Sequence, residues 1–399
     1  MSFEPSPTRP ATPKPTLRWD IFCHVIDNFG DIGVSWRLAR QLAQEHHQSV
    51  QLWVDDLSAL TAMEPSLTLT SESQLIHGVQ VRYWPDTWCQ QQVADVVVEA
   101  FGCTLPAPYL DLMATTTPRV LWLNLEYLSA EDWVEQCHGL TSKVGNRFQK
   151  YFFFPGFTDK TGGLLREENL IAQRHQFQSN RREKNAFLNR LGLHLPEDAL
   201  CFSLFSYENP GLHSWLDALS QAPKRVHLLV PQGRILQDLQ RWLGVDALGA
   251  GDSAQRGALD IHILPFLSQD DYDRLLWCCA LNIVRGEDSF VRAQWAGSPM
   301  LWHIYPQPED AHQPKLQAFL TLYLQGLSAD AADALKHFWL AWNTGANLAD
   351  SWARLSPHWS AIQGNAQRWC NHLARQKNIS QQLVTFAEKQ IIFAPRNLS

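Results

Sequence analysis

Short, nearly continuous apolar runs alternate along this chain with longer stretches in which apolar residues recur every three or four positions. The first run spans residues 19–26, and others cover 50–54, 79–84, 96–101 and 120–125. Runs of this length, apolar on both faces, predict parallel strands buried on both sides. Between the first two, Val34, Leu38 and Leu42, with Trp36, Ala39 and Ala43, mark a helix from about residue 32 to 46. A second series begins near Leu200, with runs at 201–207, 226–230, 261–266, 280–284 and 299–305. Helical patterns follow at 317–324, 331–342 and 360–390.

Strands alternating with helices predict an α/β protein with doubly wound parallel sheets. Two such Rossmann-like halves and a helical tail predict the glycosyltransferase-B (GT-B) architecture, two Rossmann-like domains facing a central cleft. The expected division is a disordered tail over 1–18, marked by Pro5, Pro7, Pro10, Pro13 and Pro15, then an acceptor domain over 19–185. A donor domain over 186–360 follows, and helices over 361–399 pack back toward the first domain. The aromatic run at 151–157, broken by Pro155 and Gly156, closes the first domain, and a helical stretch over 166–192 links the two.

Composition narrows the function. A chain of 399 residues has room for two cores. The net charge of −7 provides no broad field for nucleic acid or anionic membrane, and neither is expected as a partner. No apolar run reaches the roughly 18 residues of a membrane span, and no apolar leader core is visible. The eight cysteines form no C-x-x-C pair, which fits reduced thiols and a cytoplasmic setting.

The candidate chemistry sits where strands end. Arg285-Gly286-Glu287-Asp288-Ser289-Phe290-Val291-Arg292-Ala293-Gln294 follows an apolar run and opens a helix. It brings a cation, a glycine, two carboxylates and a hydroxyl to a helix N-terminus, whose free N–H groups suit phosphate. The competing reading is a salt-bridged, capped helix start, with Ser289 or Asp288 as cap and Glu287 paired to Arg285 or Arg292. The first strand ends in Asp27-Asn28-Phe29-Gly30-Asp31-Ile32-Gly33-Val34. There Asp31 either caps the helix or orients a nucleophile and takes its proton. No G-x-G-x-x-G or P-loop is present. Phe205 and Tyr207 alternate onto one face at another strand end, as core aromatics or as contacts to a base. Asp271-Tyr272-Asp273 matches a metal-binding D-x-D, but it falls in a helix's first turn behind Ser268, where acids serve cap and dipole. No metal is expected. Phe266 and Gln269 precede it as pocket candidates.

The Asp27–Val34 segment, Phe205-Ser206-Tyr207-Glu208-Asn209 and the Arg285–Gln294 segment together resemble the protein-arginine rhamnosyltransferases of the EarP family. The resemblance runs from about Trp19 to the C-terminus. It implies the GT-B fold and an inverting, metal-independent transfer of rhamnose from dTDP-β-L-rhamnose to an arginine of translation elongation factor P, with no cofactor. It also implies catalytic roles for Asp27, Asp31 and Glu287. The donor pocket carries over onto Phe205, Tyr207, Phe266, Gln269, Arg285, Asp288 and Ser289, and Asn28 and Gly30 complete the expected substrate-binding set. Competing readings are a nucleotide-sugar transferase with another small-molecule or protein acceptor, and a non-catalytic nucleotide-sugar-binding protein. The last has no need of an aspartate pair opposite Glu287.

Overall fold

The computed structural model describes residues 16–26, 29–68, 73–84, 92–117, 119–145 and 148–391. Strand β1 (Arg18–Cys23) sorts its side chains by alternation. Trp19, Ile21 and Cys23 enter one core and Phe22 the opposite one. Helix α1 (Gly30–Gln44) crosses to β2 (Ser49–Val54), parallel to β1 with Ile21 opposite Leu52. The first half continues through α2 (Leu57–Met63), β3 (Ser73–Ile76), β4 (Val79–Tyr83), β5 (Val96–Ala100), α3 (Ala107–Thr115) and β6 (Leu121–Leu125). It ends with α4 (Asp132–Cys137), β7 (Thr141–Val144) and β8 (Phe148–Phe153). The eight strands lie in the order β3-β4-β2-β1-β5-β6-β8-β7, with β3 and β7 antiparallel at the edges.

Helices α5 (Leu170–Ser179) and α6 (Arg181–Arg190) lead into the second half. There β9 (Leu200–Leu204), α7 (Leu212–Ser220), β10 (Val226–Pro231), α8 (Leu236–Leu243), β11 (Ser253–Arg256) and β12 (Leu259–Leu264) come first. Then follow α9 (Gln269–Cys278), β13 (Leu281–Arg285), α10 (Asp288–Ala296) and β14 (Met300–His303). Its sheet order is β11-β12-β10-β9-β13-β14, parallel except for β11. Helices α11 (His312–Tyr323), α12 (Ala329–Thr344), α13 (Leu348–Leu355), α14 (Trp359–Leu373) and α15 (Ile379–Ile391) complete the described chain.

In each half the strand order reverses beside one strand. β1 lies between β2 and β5, and β9 lies between β10 and β13. At such switch points the connections leave in opposite directions, which opens a crevice beyond the strand ends. The loop after β1 and the turns after β9 and β13 therefore face a common cleft.

The packing departs from the expected divisions in three places. Order reaches back past Trp19: Leu17 is buried, and its N–H donates to Gln48 Oε1 at 3.0 Å. The linking helices α5 and α6 place Leu170 and Phe177 in the second core ahead of residue 186, with Phe187 and Leu188 just after it. The single helical pattern over 360–390 is two helices. α14 stays with the second core, while α15 crosses to the first, burying Ile379, Leu383, Val384 and Ala387 among residues of β1 and α1. Asn378 starts the second of these, accepting the N–H of Gln381 at 2.8 Å. Among the described residues, no helix is long and apolar enough to cross a membrane.

Candidate active site

Helix α1 brings Asp31 to the cleft in its first turn. Phe29 occupies the N-cap position without a side-chain cap. Instead of capping, the buried Asp31 carboxylate folds back over the loop, and its Oδ2 accepts the N–H of Ile26 at 3.1 Å. Asp31 also shares a hydrogen bond with Tyr127, which follows β6. Burial, with the charges of Asp31 and Glu287 beside it, pushes the Tyr127 phenol well above its ordinary range, so it stays a neutral donor. Its ring stacks on Phe101 at 4.6 Å. Asp27 and Asn28 lie outside the described residues.

Across the cleft, β13 turns into α10 through Gly286. Its φ of 64° lies in the left-handed region that a side chain would strain. The next residue, Glu287, sits at the N-cap without capping the helix. Its Oε2 accepts the N–H of Leu128 from the other half at 2.9 Å. Burial raises the Glu287 carboxyl to about 7, with Asp31 and Asp288 adding to the effect and Lys315 and the Leu128 N–H opposing it. Although its side chain opens onto a cavity, protein surrounds the carboxyl closely enough to deny it most of its hydration. Asp31, Tyr127, Glu287, Tyr305 and Lys315 line this cavity, an open recess of about 780 Å³ that includes space shared with solvent.

An adjoining pocket of about 570 Å³ is lined by Phe29, Phe205, Phe266, Gln269, Arg285, Asp288 and Ser289, among others. Gly30 and Gly286 border both spaces, so the two lie side by side. Phe29 and Phe266 meet across the cleft, with ring centroids 4.5 Å apart. The Arg285 guanidinium lies 4.7 Å from the Phe205 ring centroid and 4.8 Å from that of Tyr207. Tyr207 is buried behind the cation and is not among the lining residues. The two rings thus pre-set the direction of a charge that water would otherwise surround. The first N–H groups of α10 have no intrahelical acceptor and no side-chain cap from Glu287, which suits them to an anion.

The salt-bridged, capped helix start does not form as the motif allows. Ser289 donates its hydroxyl proton to the Arg285 carbonyl. Asp288 accepts from Arg37 Nε at 2.8 Å and Gln269 Nε2 at 3.3 Å, tying α10 to α1. There α1 approaches closely, and a Cβ on Gly33 would stand 3.1 Å from that of Asp288. Arg37 also binds both oxygens of Asp273, at 3.1 and 3.2 Å, and reaches Glu167 at 3.5 Å. Arg292 binds Asp273 at 2.6 and 2.8 Å and Glu167 at 2.8 Å. Burial would raise the Glu167 carboxyl, but Arg292 and Arg37 hold it down to about 2.

Both acids of the D-x-D are thereby engaged, since Asp271 pairs with Arg190 and Arg274 at 2.7 and 2.9 Å. Among the described residues, no group of three His, Cys, Asp or Glu is placed to hold a metal ion. Sequence reading missed Arg37, Tyr127 and Lys315. Tyr127 follows a predicted strand end, a signal that was there to use, whereas Arg37 and Lys315 lie within helices and carry none.

One cavity holds carboxylates from both halves and suits a cationic group. The pocket beside it offers aromatic surface, a fixed guanidinium and a helix N-terminus, and suits a nucleotide diphosphate. Glu287→Gln tests the environment of the acid directly. Unfolded, Glu287 ionises above its ordinary 4.5, whereas folded it resists ionisation up to about 7. Stability is therefore lost as pH rises through that window. Glu287→Gln should raise the melting temperature at pH 8, with the gain vanishing near pH 4. An unchanged or lower value at pH 8 would show that the carboxylate is well solvated.

A sequence profile described as Elongation-Factor P (EF-P) rhamnosyltransferase EarP matches residues 19–388. A protein-arginine rhamnosyltransferase of Pseudomonas putida is 56% identical over 368 residues, covering 92% of this chain and 98% of its own length. The protein-arginine rhamnosyltransferase of Pseudomonas aeruginosa is 50% identical with the same coverage. A solved structure described as the "structural basis for EarP-mediated arginine glycosylation of translation elongation factor EF-P" superposes with a TM-score of 0.69 at 42% identity. That match covers 94% of this chain and 100% of the other.

Proposed function

This chain belongs to the EarP family of rhamnosyltransferases, glycosyltransferases of the GT-B fold, and from that premise we propose that it transfers rhamnose from dTDP-β-L-rhamnose to an arginine side chain of elongation factor P with inversion. The observation that carries the reading is the meeting of Asp31 and Glu287, one from each half, in a cavity adjoining the Arg285 pocket.

Arginine is a poor nucleophile because its guanidinium stays protonated, with a pKa above about 12. A carboxylate must align it, draw charge from the attacking nitrogen and take a proton as the bond forms. Asp31, fixed by the Ile26 N–H and Tyr127, is assigned that base role. The nitrogen attacks the anomeric carbon from the face opposite the diphosphate. The carbon–oxygen bond to the diphosphate breaks, the proton passes to Asp31, and dTDP leaves. Arg285 and the N-terminus of α10 receive the charge growing on the diphosphate, work that a divalent metal does in other transferases. Glu287 supplies a second negative charge to the guanidinium and the cationic transition state. Asp27 keeps a supporting catalytic role and Asn28 a substrate-binding one by the family resemblance alone, and transfer takes place in the cytoplasm, without a membrane or nucleic-acid partner.

The decisive test is incubation with dTDP-β-L-rhamnose and elongation factor P, followed by peptide mass measurement. Addition of one deoxyhexose to an arginine is the expected result, and an unmodified factor under saturating donor would sink the reading. EDTA should leave the rate unchanged. Inhibition relieved by Mg²⁺ would show that Arg285 and the helix terminus do not suffice.

A further inference from the structure

Among the described residues lining the cavity of Asp31 and Glu287, Lys315 is the one lysine or arginine. It belongs to α11, and its ammonium lies 5.6 Å from the centroid of the Tyr127 ring. A cavity that receives a guanidinium gains nothing from a resident cation, which repels the acceptor. The lysine must therefore serve the groups already there.

Those groups can be named from every side. α1 contributes Asp31, and the segment after β6 contributes Tyr127 and the Leu128 N–H. Asp288 stands next on Glu287's own helix, Arg285 faces the adjoining pocket, and α11 contributes His312 with Lys315. Asp31 and Asp288 both drive Glu287 toward its neutral acid, as burial does. Lys315 is the foremost opposing influence and is itself coupled to Glu287 and Glu131. Burial lowers Lys315, while these two carboxylates favour its charged form.

We propose that Lys315 is a positioning residue, whose ammonium, set against the Tyr127 ring, keeps Glu287 a carboxylate in the acceptor cavity. The proposal rests on the transfer reaction above for its catalytic consequence, but not for its electrostatic core. Without Lys315, proton uptake by Glu287 moves from near neutrality to higher pH, so that at pH 7 the cavity loses most of one of the two negative charges that receive the guanidinium. The site thus tolerates some repulsion of its substrate in order to keep a more useful anion.

Infrared titration of the full-length protein tests this without turnover. The protonated-carboxyl band that disappears in Glu287→Gln should titrate near pH 7 in the unmodified protein. In Lys315→Met its midpoint should move up by about one pH unit or more, while Lys315→Arg should stay near the original value. The acid limb of the kcat profile should move with the band, so that Lys315→Met is impaired at pH 7 and recovers at higher pH. A midpoint that stays put in Lys315→Met, or moves equally in Lys315→Arg, overturns the proposal. So does a rate loss equal at all pH values, the mark of a purely structural role. Should the unmodified protein fail to glycosylate elongation factor P, the transfer reading falls, and the infrared arm still decides whether Lys315 holds the charge on Glu287.

Discussion

Asp31→Asn is expected to lower kcat by about 10²–10⁴-fold, the range for a positioned general base, while dTDP affinity stays unchanged. The separation follows from where the groups lie. Asp31 lines the cavity of Glu287, and the pocket proposed for the nucleotide is built mainly from Phe205, Phe266, Gln269 and Arg285 of the other half. The substituted amide keeps an oxygen for the Ile26 N–H, so the loop has no reason to rearrange. What it lacks is the capacity to take a proton from the guanidinium. Single-turnover mass spectrometry and calorimetric titration with dTDP would check both halves of the statement. A rate within about tenfold of the original would remove Asp31 from the base role, because a general base contributes more than that. A large loss of dTDP binding would show that the cleft, not the chemistry, had changed.

Arg37→Met should destabilise the protein by about 3–5 kcal/mol, the cost of breaking a buried ion pair and leaving its partner charged. Arg37 is buried and contacts Asp273, Asp288 and Glu167, and its removal leaves Arg292 to compensate three carboxylates. Urea unfolding would measure the loss. A change below about 1 kcal/mol, the usual value of an exposed pair, would mean that water reaches the network freely. Adding Asp288→Asn to Arg37→Met should recover part of the loss, since it removes one uncompensated charge. The network also sets an acid limit. Glu167 titrates near 2 when folded and near its ordinary 4.5 when unfolded. The stability it contributes is full above about 4.5 and is lost as pH falls toward 2.

What was legible in the chain follows from how each element is stabilised. Strands such as β1, β2, β5 and β6 are buried on both faces and leave unbroken apolar runs, so their places were readable to within a few residues. The edge strands β3 and β7 bury little, and Ser73-Gln74-Leu75-Ile76 and Thr141-Ser142-Lys143-Val144 look like any polar loop. The aromatic run at 151–157 concealed a strand, because β8 begins in its charged approach, Phe148-Gln149-Lys150. In the site, Asp31 and Glu287 could be singled out because ligand-facing residues of an α/β fold follow strand ends. Arg37 could not, because its partners Asp273 and Asp288 lie 236 and 251 residues away. The same distance hides the fate of Asp288, placed in the donor pocket by resemblance. Asp288 borders the Arg285 pocket, but its oxygens are held by Arg37 and Gln269, so it joins the two halves.

The crossing of α15 bears on the order in which the protein is made. Helix α1 and the first sheet leave the ribosome long before residues 379–391 exist. Until then the face that will receive Ile379, Leu383, Val384 and Ala387 has no cover. Each large apolar side chain it finally buries contributes roughly 1.5–3 kcal/mol. The nascent first half must therefore wait, partly open and sticky, through synthesis of the entire second half. Only α15 seals it, so the two halves reach their mature state together rather than in turn.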